Sequence, residues 1–296
     1  MAKTREIRKR IKAVGNIRRI TKTMQMIATS KFAKAQQRAL ATKPYTEGVF
    51  GLVTELAATA GNISHPLING PDRKVKDASE LTLVITSDRG LCGPYNGTVL
   101  RTAAAYLRSN PAAQKGSIEL VGKKGVSFLK FNKVPVAKSY TFGDKPSFEE
   151  IQKLAEDYMQ RFTAGEVSAV RVVYMRYISA GRQSPEVVQL LPLKPPVKTG
   201  AKAEKAEKGY SAQYEFSPEA GELLDALLPA TVKATLFQAF NDALVSEQVA
   251  RMIAMKAATD NAGKMRKNLT RDFNRARQSQ ITTELTEIVS GAAALA

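Results

Sequence analysis

The chain has 296 residues, 44% of them hydrophobic, with one cysteine, one histidine and no tryptophan. That is enough apolar material for one large domain or two ordinary ones, and the lone Cys92 excludes an internal disulfide and a cysteine-rich zinc site, which fits a reducing, cytoplasmic setting. Lys and Arg outnumber Asp and Glu by 45 to 27, a formal charge of +18, so an acidic partner is expected: nucleic acid, an anionic membrane surface or an acidic protein.

From Lys3 to Lys43 there is no proline, and Ile7, Ile11, Val14, Ile17, Ile20, Met24 and Ile27 recur every three or four positions. This spacing draws one apolar stripe along a helix. Around it stand Lys3, Arg5, Arg8, Lys9, Arg10, Lys12, Arg18, Arg19, Lys22 and further cations, with Glu6 as the only acid. The basic start lacks the apolar run and cleavage site of a signal peptide. Pro44 need not end the helix, because helical spacing resumes from Glu47 to Ala60, and Gly61 to Gly70 reads as its terminator.

The middle alternates. Leu81 to Thr86 reads as a strand, followed by a Gly-rich turn and a helix from Gly97 to Ser109. Ser117 to Val121, a helix over Lys124 to Phe131, Val134 to Tyr140, a helix over Ser147 to Phe162, then Val167 to Tyr174 and Val187 to Leu191 continue the pattern, which predicts an α/β sheet. Lys198 to Lys208 reads as a solvated insertion, and Tyr210 to Phe216 as one last strand. From Pro218 onward only helix is plausible. Ala258, Ala262, Met265, Leu269, Asp272 and Ala276 follow heptad spacing, and Ile281, Leu285, Ile288, Ala292 and Leu295 repeat it after a slip, which predicts a coiled-coil seam with a stutter. Such a helix is about 110 Å long, so its stripe needs the N-terminal helix laid antiparallel against it. No segment reaches the roughly 20 uninterrupted apolar residues of a membrane-spanning helix. The expected architecture is therefore a long antiparallel coiled coil of the two terminal helices plus a central Rossmann-like α/β domain. The expected boundaries are 1–75 for the N-terminal helix, 76–217 for the globular domain with an insertion at 197–209, and 218–296 for the C-terminal helix.

Three segments carry a resemblance: IRRITKTMQMIA from Ile17 to Ala28, TSDRGLCGPYN from Thr86 to Asn96, and SEQVARMIAMKAATDNAG from Ser246 followed by ARQSQITTELTEIVSGAAAL from Ala276. Together they resemble the gamma subunit of bacterial F-type ATP synthases, nearly end to end. The resemblance implies a non-catalytic central rotor shaft that couples proton-driven rotation to ATP synthesis on beta subunits by imposing asymmetric conformations. It implies as partners the ring of alpha and beta subunits, the epsilon subunit and the membrane c-subunit ring, with no cofactor or metal of its own. Membrane association then comes only through the complex, on the cytoplasmic side of a bacterial plasma membrane. Arg277 and Gln278 would hydrogen-bond a beta-subunit loop, with Thr282, Glu284 and Glu287 on the same contact-rich stretch. Met24 would lie near the acidic lever of a beta subunit, with Arg8, Lys9, Lys12 and Lys22 adding positive charge. The tip Ala292, Ala293, Ala294 and Leu295, small and uncharged, would act as a bearing.

Other readings of the same residues stay open at this stage. Ser87 to Gly93 could cradle a phosphate at a helix start, but the turn lacks a Gly-Lys-Ser or Gly-Lys-Thr end and dinucleotide-fingerprint spacing. A structural turn is preferred, with Asp88 and Arg89 at a subunit contact. A basic coiled-coil protein binding nucleic acid is the main rival, weakened because only Phe32 interrupts the basic run as a stacking platform. An α/β enzyme lacks any convergent catalytic set. His65 precedes Pro66 in a loop and has no evident partner for catalysis.

Overall fold

The computed structural model describes residues 2–59, 65–70, 79–193 and 220–295. The expected insertion Lys198 to Lys208 and strand Tyr210 to Phe216 lie outside them. The chain divides into two compact units, one of Met1–Lys31 with Val249–Ala296 and one of Phe32–Gln248. Both terminal helices, α1 (Ala2–Thr59) and α7 (Ala220–Leu295), contribute to each.

In the first unit the two helices run antiparallel. Thr4 Oγ1 donates to Gln280 Oε1 at 3.1 Å, the Arg8 guanidinium lies 5.3 Å from the Phe273 ring centre, and the Thr21 and Thr259 hydroxyls are 2.8 Å apart. As one number rises the other falls, which is the signature of antiparallel register. The seam is built from Ile7, Ile11, Val14, Thr21 and Ala28 on α1, and from Met255, Thr259, Ala262, Leu269, Phe273 and Ala276 on α7, all buried or half-buried. This corrects part of the predicted stripe. Ile17, Ile20 and Ile27 are about half exposed, at 53%, 57% and 50%, and Met265 is 55% exposed. Asp272 also faces solvent, with Phe273 in the seam instead.

The second unit is built on a five-stranded sheet of β1 (Glu80–Ile85), β2 (Ser117–Val121), β3 (Lys138–Tyr140), β4 (Ala169–Ser179) and β5 (Arg182–Leu191), in the order β3-β2-β1-β4-β5. All neighbours are parallel except β4 and β5, which form an antiparallel hairpin. β1 is central and buried along its whole length, as its unbroken run ELTLVI requires of a strand covered on both faces. Leu81, Leu83 and Ile85 of β1 and Val170, Val172 and Tyr174 of β4 join a core with α6 (Phe148–Thr163) and α7, where Ile151, Tyr158, Phe162, Leu228, Val232 and Leu236 are essentially solvent-free. Each such side chain contributes about 1.5 to 3 kcal/mol on burial. α6 is started by a capping box, Ser147 and Glu150 each bonding the other's backbone N–H. Three further helices, α3 (Tyr95–Ser109), α4 (Pro111–Lys115) and α5 (Lys123–Phe131), connect β1 to β2 and β2 to β3, and a short α2 (Pro66–Asn69) precedes the sheet.

Pro44 lies inside α1, as expected from the spacing that resumes after it, and Pro229 lies inside α7. Pro44 removes one backbone donor, yet buried Ala39 and Val49 on either side keep the inner face of α1 anchored. An 18-residue window of α7 reaches a mean hydropathy of 1.2, and half of that window is buried, as in a core helix.

A buried ionic group in the second unit centres on Glu119. Glu119 of β2, 1% exposed, accepts from Arg161 Nη1 at 2.7 Å through one oxygen, and from the hydroxyls of Tyr140 and Tyr158, each at 2.8 Å, through the other. Burial first, and then the neighbouring carboxylate, pushes both phenols above their usual range. The carboxylate thereby ties β2, β3 and α6 together.

Candidate interaction surfaces

The glycine-rich turn follows β1, whose neighbours β2 and β4 lie on opposite sides. That makes its carboxyl end the topological switch point, where ligands of open α/β sheets bind. Here the turn closes on itself. Ser87 N–H donates to Asn96 Oδ1 at 3.0 Å, Ser87 Oγ donates to the Arg89 carbonyl at 2.7 Å, and Asp88 Oδ1 accepts the Lys123 N–H at 3.2 Å. Gly122 (φ +91°) permits the close approach, since a Cβ there would stand 2.3 Å from the Thr86 carbonyl oxygen. The cavity bordered by Asp88, Arg89, Gly122 and Phe240 measures ≈ 40 Å³, whereas ligand pockets run to about 300 Å³ or more. A nucleotide does not fit this space, and the Ser87 and Asp88 side chains are engaged within the fold, as in a structural turn. Asp88 is half-buried as a helix cap for α5, and Arg89 is exposed. Cys92, 2% exposed, packs its sulfur 3.3 Å from Asn96 Nδ2, the arrangement of a small buried group.

His65 also has a structural task. Its Nδ1 accepts the Leu67 N–H at 3.1 Å, capping α2, while Nε2 stands 3.5 Å from Asp225 Oδ1. Among the described residues no cluster of three or more His, Cys, Asp or Glu is placed to hold a metal ion.

The remaining predicted site residues lie in the helical pair. Arg277, Gln278, Thr282, Glu284 and Glu287 are all exposed on α7. Gln280 links two of the neighbouring positions, accepting from Thr4 and donating through Nε2 to Glu284 Oε1 at 2.8 Å. Thr282 turns its hydroxyl back to the Gln278 backbone carbonyl at 3.0 Å, and Arg277 and Gln278 are exposed. From Ile281 onward every described side chain of α7 is exposed, including Ala292 and Ala293, and Leu295 reaches 91%. The backbone at Ala294 continues the helix.

On α1, Lys9, Lys12 and Lys22 are exposed and Met24 is half-buried, while Arg8 covers Phe273. Lys22 lines an open groove with Arg18, Arg19, Lys256, Asp260 and Arg266, and a second groove that shares Arg18, Asp260 and Arg266 is lined by Lys264 and Lys267. Lys256, Lys264, Arg266 and Lys267 of α7 thus extend the cationic surface beyond the α1 residues singled out in the sequence. Only the fold brings the α7 lysines beside those of α1, so linear charge counting along α1 missed them.

Comparison with known proteins gives this surface its context. A family model described as ATP synthase matches residues 3–295. The ATP synthase gamma chain of Rhodopirellula baltica is 41% identical over 300 residues, covering 100% of this chain and 99% of that protein. The gamma chain of Leptospira biflexa is likewise 41% identical over 299 residues, with 100% of both chains covered. Among solved structures, a chain of the Euglena gracilis mitochondrial ATP synthase aligns with a TM-score of 0.66 at 19% identity, covering 99% of this chain and 95% of that one. A chain from the central stalk and c-ring of the Tetrahymena thermophila enzyme aligns with a TM-score of 0.59 at 21% identity, covering 81% and 99%. At these identities the two structures speak for the fold, and the full-length relatives for the lineage: the chain belongs to the ATP synthase gamma chain family.

Proposed function

We propose that the chain serves as the central rotor shaft of an F-type ATP synthase, with Arg277 and Gln278 as its angular latch against a beta subunit. It is a non-catalytic subunit, coupling ion-driven rotation to ATP synthesis at sites carried by beta subunits. Its partners are the alpha and beta subunits, the epsilon subunit and the c-ring. In this reading residues 1–75 and 218–296 supply the shaft and residues 76–217 the contacts with epsilon and the c-ring. The complex sits on the cytoplasmic side of a bacterial plasma membrane, in keeping with the bacterial relatives.

The observation that carries the reading is a closed antiparallel seam that still leaves large apolar side chains wet. Ile281, Leu285, Ile288 and Val289 are 49%, 58%, 68% and 66% exposed on a helix whose seam partner is already engaged. Side chains of this kind want cover from other chains. The terminal Ala292, Ala293, Ala294 and Leu295 offer no directional bond and so no preferred angle, as a bearing needs. Below them, Arg277 and Gln278 can each make a charge-assisted or neutral hydrogen bond worth about 1 to 3 kcal/mol, enough to favour one angle and weak enough for torque to break. Thr282, Glu284 and Glu287 extend that contact. Met24, flanked by Lys22 and, farther along, by Arg8, Lys9 and Lys12, faces the acidic lever of a beta subunit. Asp88 and Arg89 supply a further subunit contact. Three chemically identical sites facing different sides of one asymmetric shaft must differ in conformation, so rotation drives each through the same cycle.

The test is reassembly of stripped membranes with and without the chain, followed by ATP synthesis under an imposed proton gradient. Synthesis is expected only when the chain is present, and Arg277→Ala is expected to lower coupled turnover about tenfold, the effect of about 1.4 kcal/mol. Unchanged synthesis without the chain refutes the rotor role. Unchanged turnover in Arg277→Ala refutes the latch alone.

A further inference from the structure

Helix α5 has a buried face and a wet one. Gly125 and Leu129 face inward, and a Cβ on Gly125 would stand 2.6 Å from Thr86 Oγ1 and 3.1 Å from Leu120 Cδ2, so this side is packed to contact. The outer side carries Lys124, Phe128 and Phe131, four and three residues apart and therefore on one stripe. Phe131 is 86% exposed and Phe128 42%. Lys123, Lys130 and Lys133 frame the stripe, all exposed, and the helix contains no acid.

Two of these choices do nothing for the chain by itself. Lys123 and Lys124 occupy the first helical turn, where the helix dipole favours anions. Asp88 answers the backbone there by accepting the Lys123 N–H, but the ammonium groups stay on the wrong end of the dipole. A phenyl ring held almost fully in water at Phe131 likewise gains nothing from the fold. Local choices that cost stability without a return inside the molecule mark surfaces used outside it.

We propose that the outer face of α5 is a docking site for an acidic segment of another subunit of the complex, which sets carboxylates against Lys124, Lys130 and Lys133 and offers an apolar pocket to Phe131. The sign of the occupant follows from the all-cationic frame. A protein surface is favoured over an anionic lipid surface by the shape of the stripe. Phe128 is more than half covered by its own neighbours, so a flat bilayer reaches Phe131 alone, whereas a complementary protein surface reaches both rings.

Hydrogen exchange of amides 126–133 is compared between the free chain and the detergent-purified complex, before and after lipid removal. The docked state is expected to slow exchange about tenfold or more, to survive delipidation, and to be lost in Phe131→Ser and in the double variant Lys130→Glu with Lys133→Glu, both with unchanged circular dichroism. Equal exchange in free chain and complex overturns the proposal, and so does protection that vanishes with the lipid, which would assign the face to a membrane surface. Protection that persists in both variants also overturns it. A chain that never enters the complex sinks the rotor reading first, as a loss of assembly, and this docking face with it.

Discussion

Replacing Glu119 by Gln tests whether the buried carboxylate organises the second unit. Three donors converge on its two oxygens, Arg161 on one and Tyr140 with Tyr158 on the other. A glutamine turns one oxygen into a donor, so either the arginine or both hydroxyls face an N–H. Arg161 loses least, because it is partly solvated and keeps Asp157 at 3.5 Å and Glu166 at 3.8 Å. The phenol of Tyr158 is wholly buried and has no water to turn to. A buried donor left unsatisfied costs about 1 to 3 kcal/mol, and the weakened charged bond adds about 1 to 2, so a loss of about 3 kcal/mol is expected. Glu119→Leu removes the shared acceptor of all three donors and costs about 3 to 5 kcal/mol. Urea unfolding followed by tyrosine fluorescence reads both values at pH 7.5. The alkaline limb gives a second check. Phenols whose folded pKa lies above the unfolded value contribute stability in full below about pH 10, and lose it as pH rises further. Removing the carboxylate lowers one cause of that elevation, so the alkaline loss should flatten in Glu119→Gln. A loss under 1 kcal/mol, with an unchanged alkaline limb, refutes the account.

Asp242 on α7 titrates in the opposite sense to an ordinary paired carboxylate. Burial pushes its pKa up to about 6 despite Gln238, Arg176, Lys43 and the Tyr177 N–H, all of which favour the charged form. The folded state therefore holds more protons than the unfolded state between about pH 4 and 6, and stability falls as pH rises through that window. Asp242→Asn should remove this slope and gain about 1 to 2 kcal/mol at pH 7.5 after the loss of one acceptor, and parallel melting curves at pH 4.5 and 7.5 for the two proteins would contradict it. The register of the helical pair rests on Thr21 and Thr259; a double-mutant cycle with Thr→Val at each should give a coupling of about 1 kcal/mol, and zero coupling would mean the hydroxyls do not meet in solution.

The alternation of strands and helices was legible where a local signal and the tertiary demand agree. ELTLVI has branched residues between turn signals, and Ser147 with Glu150 announces the start of α6. The signal failed where pairing overrides composition. Val134 and Pro135 read as the beginning of a strand, but only Lys138–Tyr140 pairs with β2, at the edge of the sheet. Conversely, Arg182 to Glu186 is polar and unpromising, yet it is strand because the turn at Ala180 and Gly181 lays it against β4. Glu119 was invisible in advance, since one acid in SIELV carries no sign that two tyrosines and an arginine from β3 and α6 will meet it.

The helical seam shows why the interaction surface was harder still. A search for the largest apolar side chains at helical spacing selects Ile17, Ile20, Ile27 and Met265, all of which the fold turns outward. Over this middle stretch the seam runs along smaller residues, Val14, Thr21 and Ala28 on α1 and Thr259 and Ala262 on α7, while Ile7, Ile11, Leu269 and Phe273 keep their place nearer the end. Small residues let two helix axes approach closely, and that gain in contact outweighs the burial of a few larger side chains. Hydrophobicity alone therefore misplaces part of the stripe, and the error is informative. The isoleucines displaced from the seam lie among the cations of α1, on the side any enclosing partner must touch. Arg277 and Gln278 give no such signal, being an ordinary exposed polar pair on a helix. Their assignment rests on the ARQ segment and the family it resembles, and a tenfold fall in coupled turnover of Arg277→Ala in the assembled enzyme is the expected mark of a latch, where a merely solvated side chain leaves turnover unchanged.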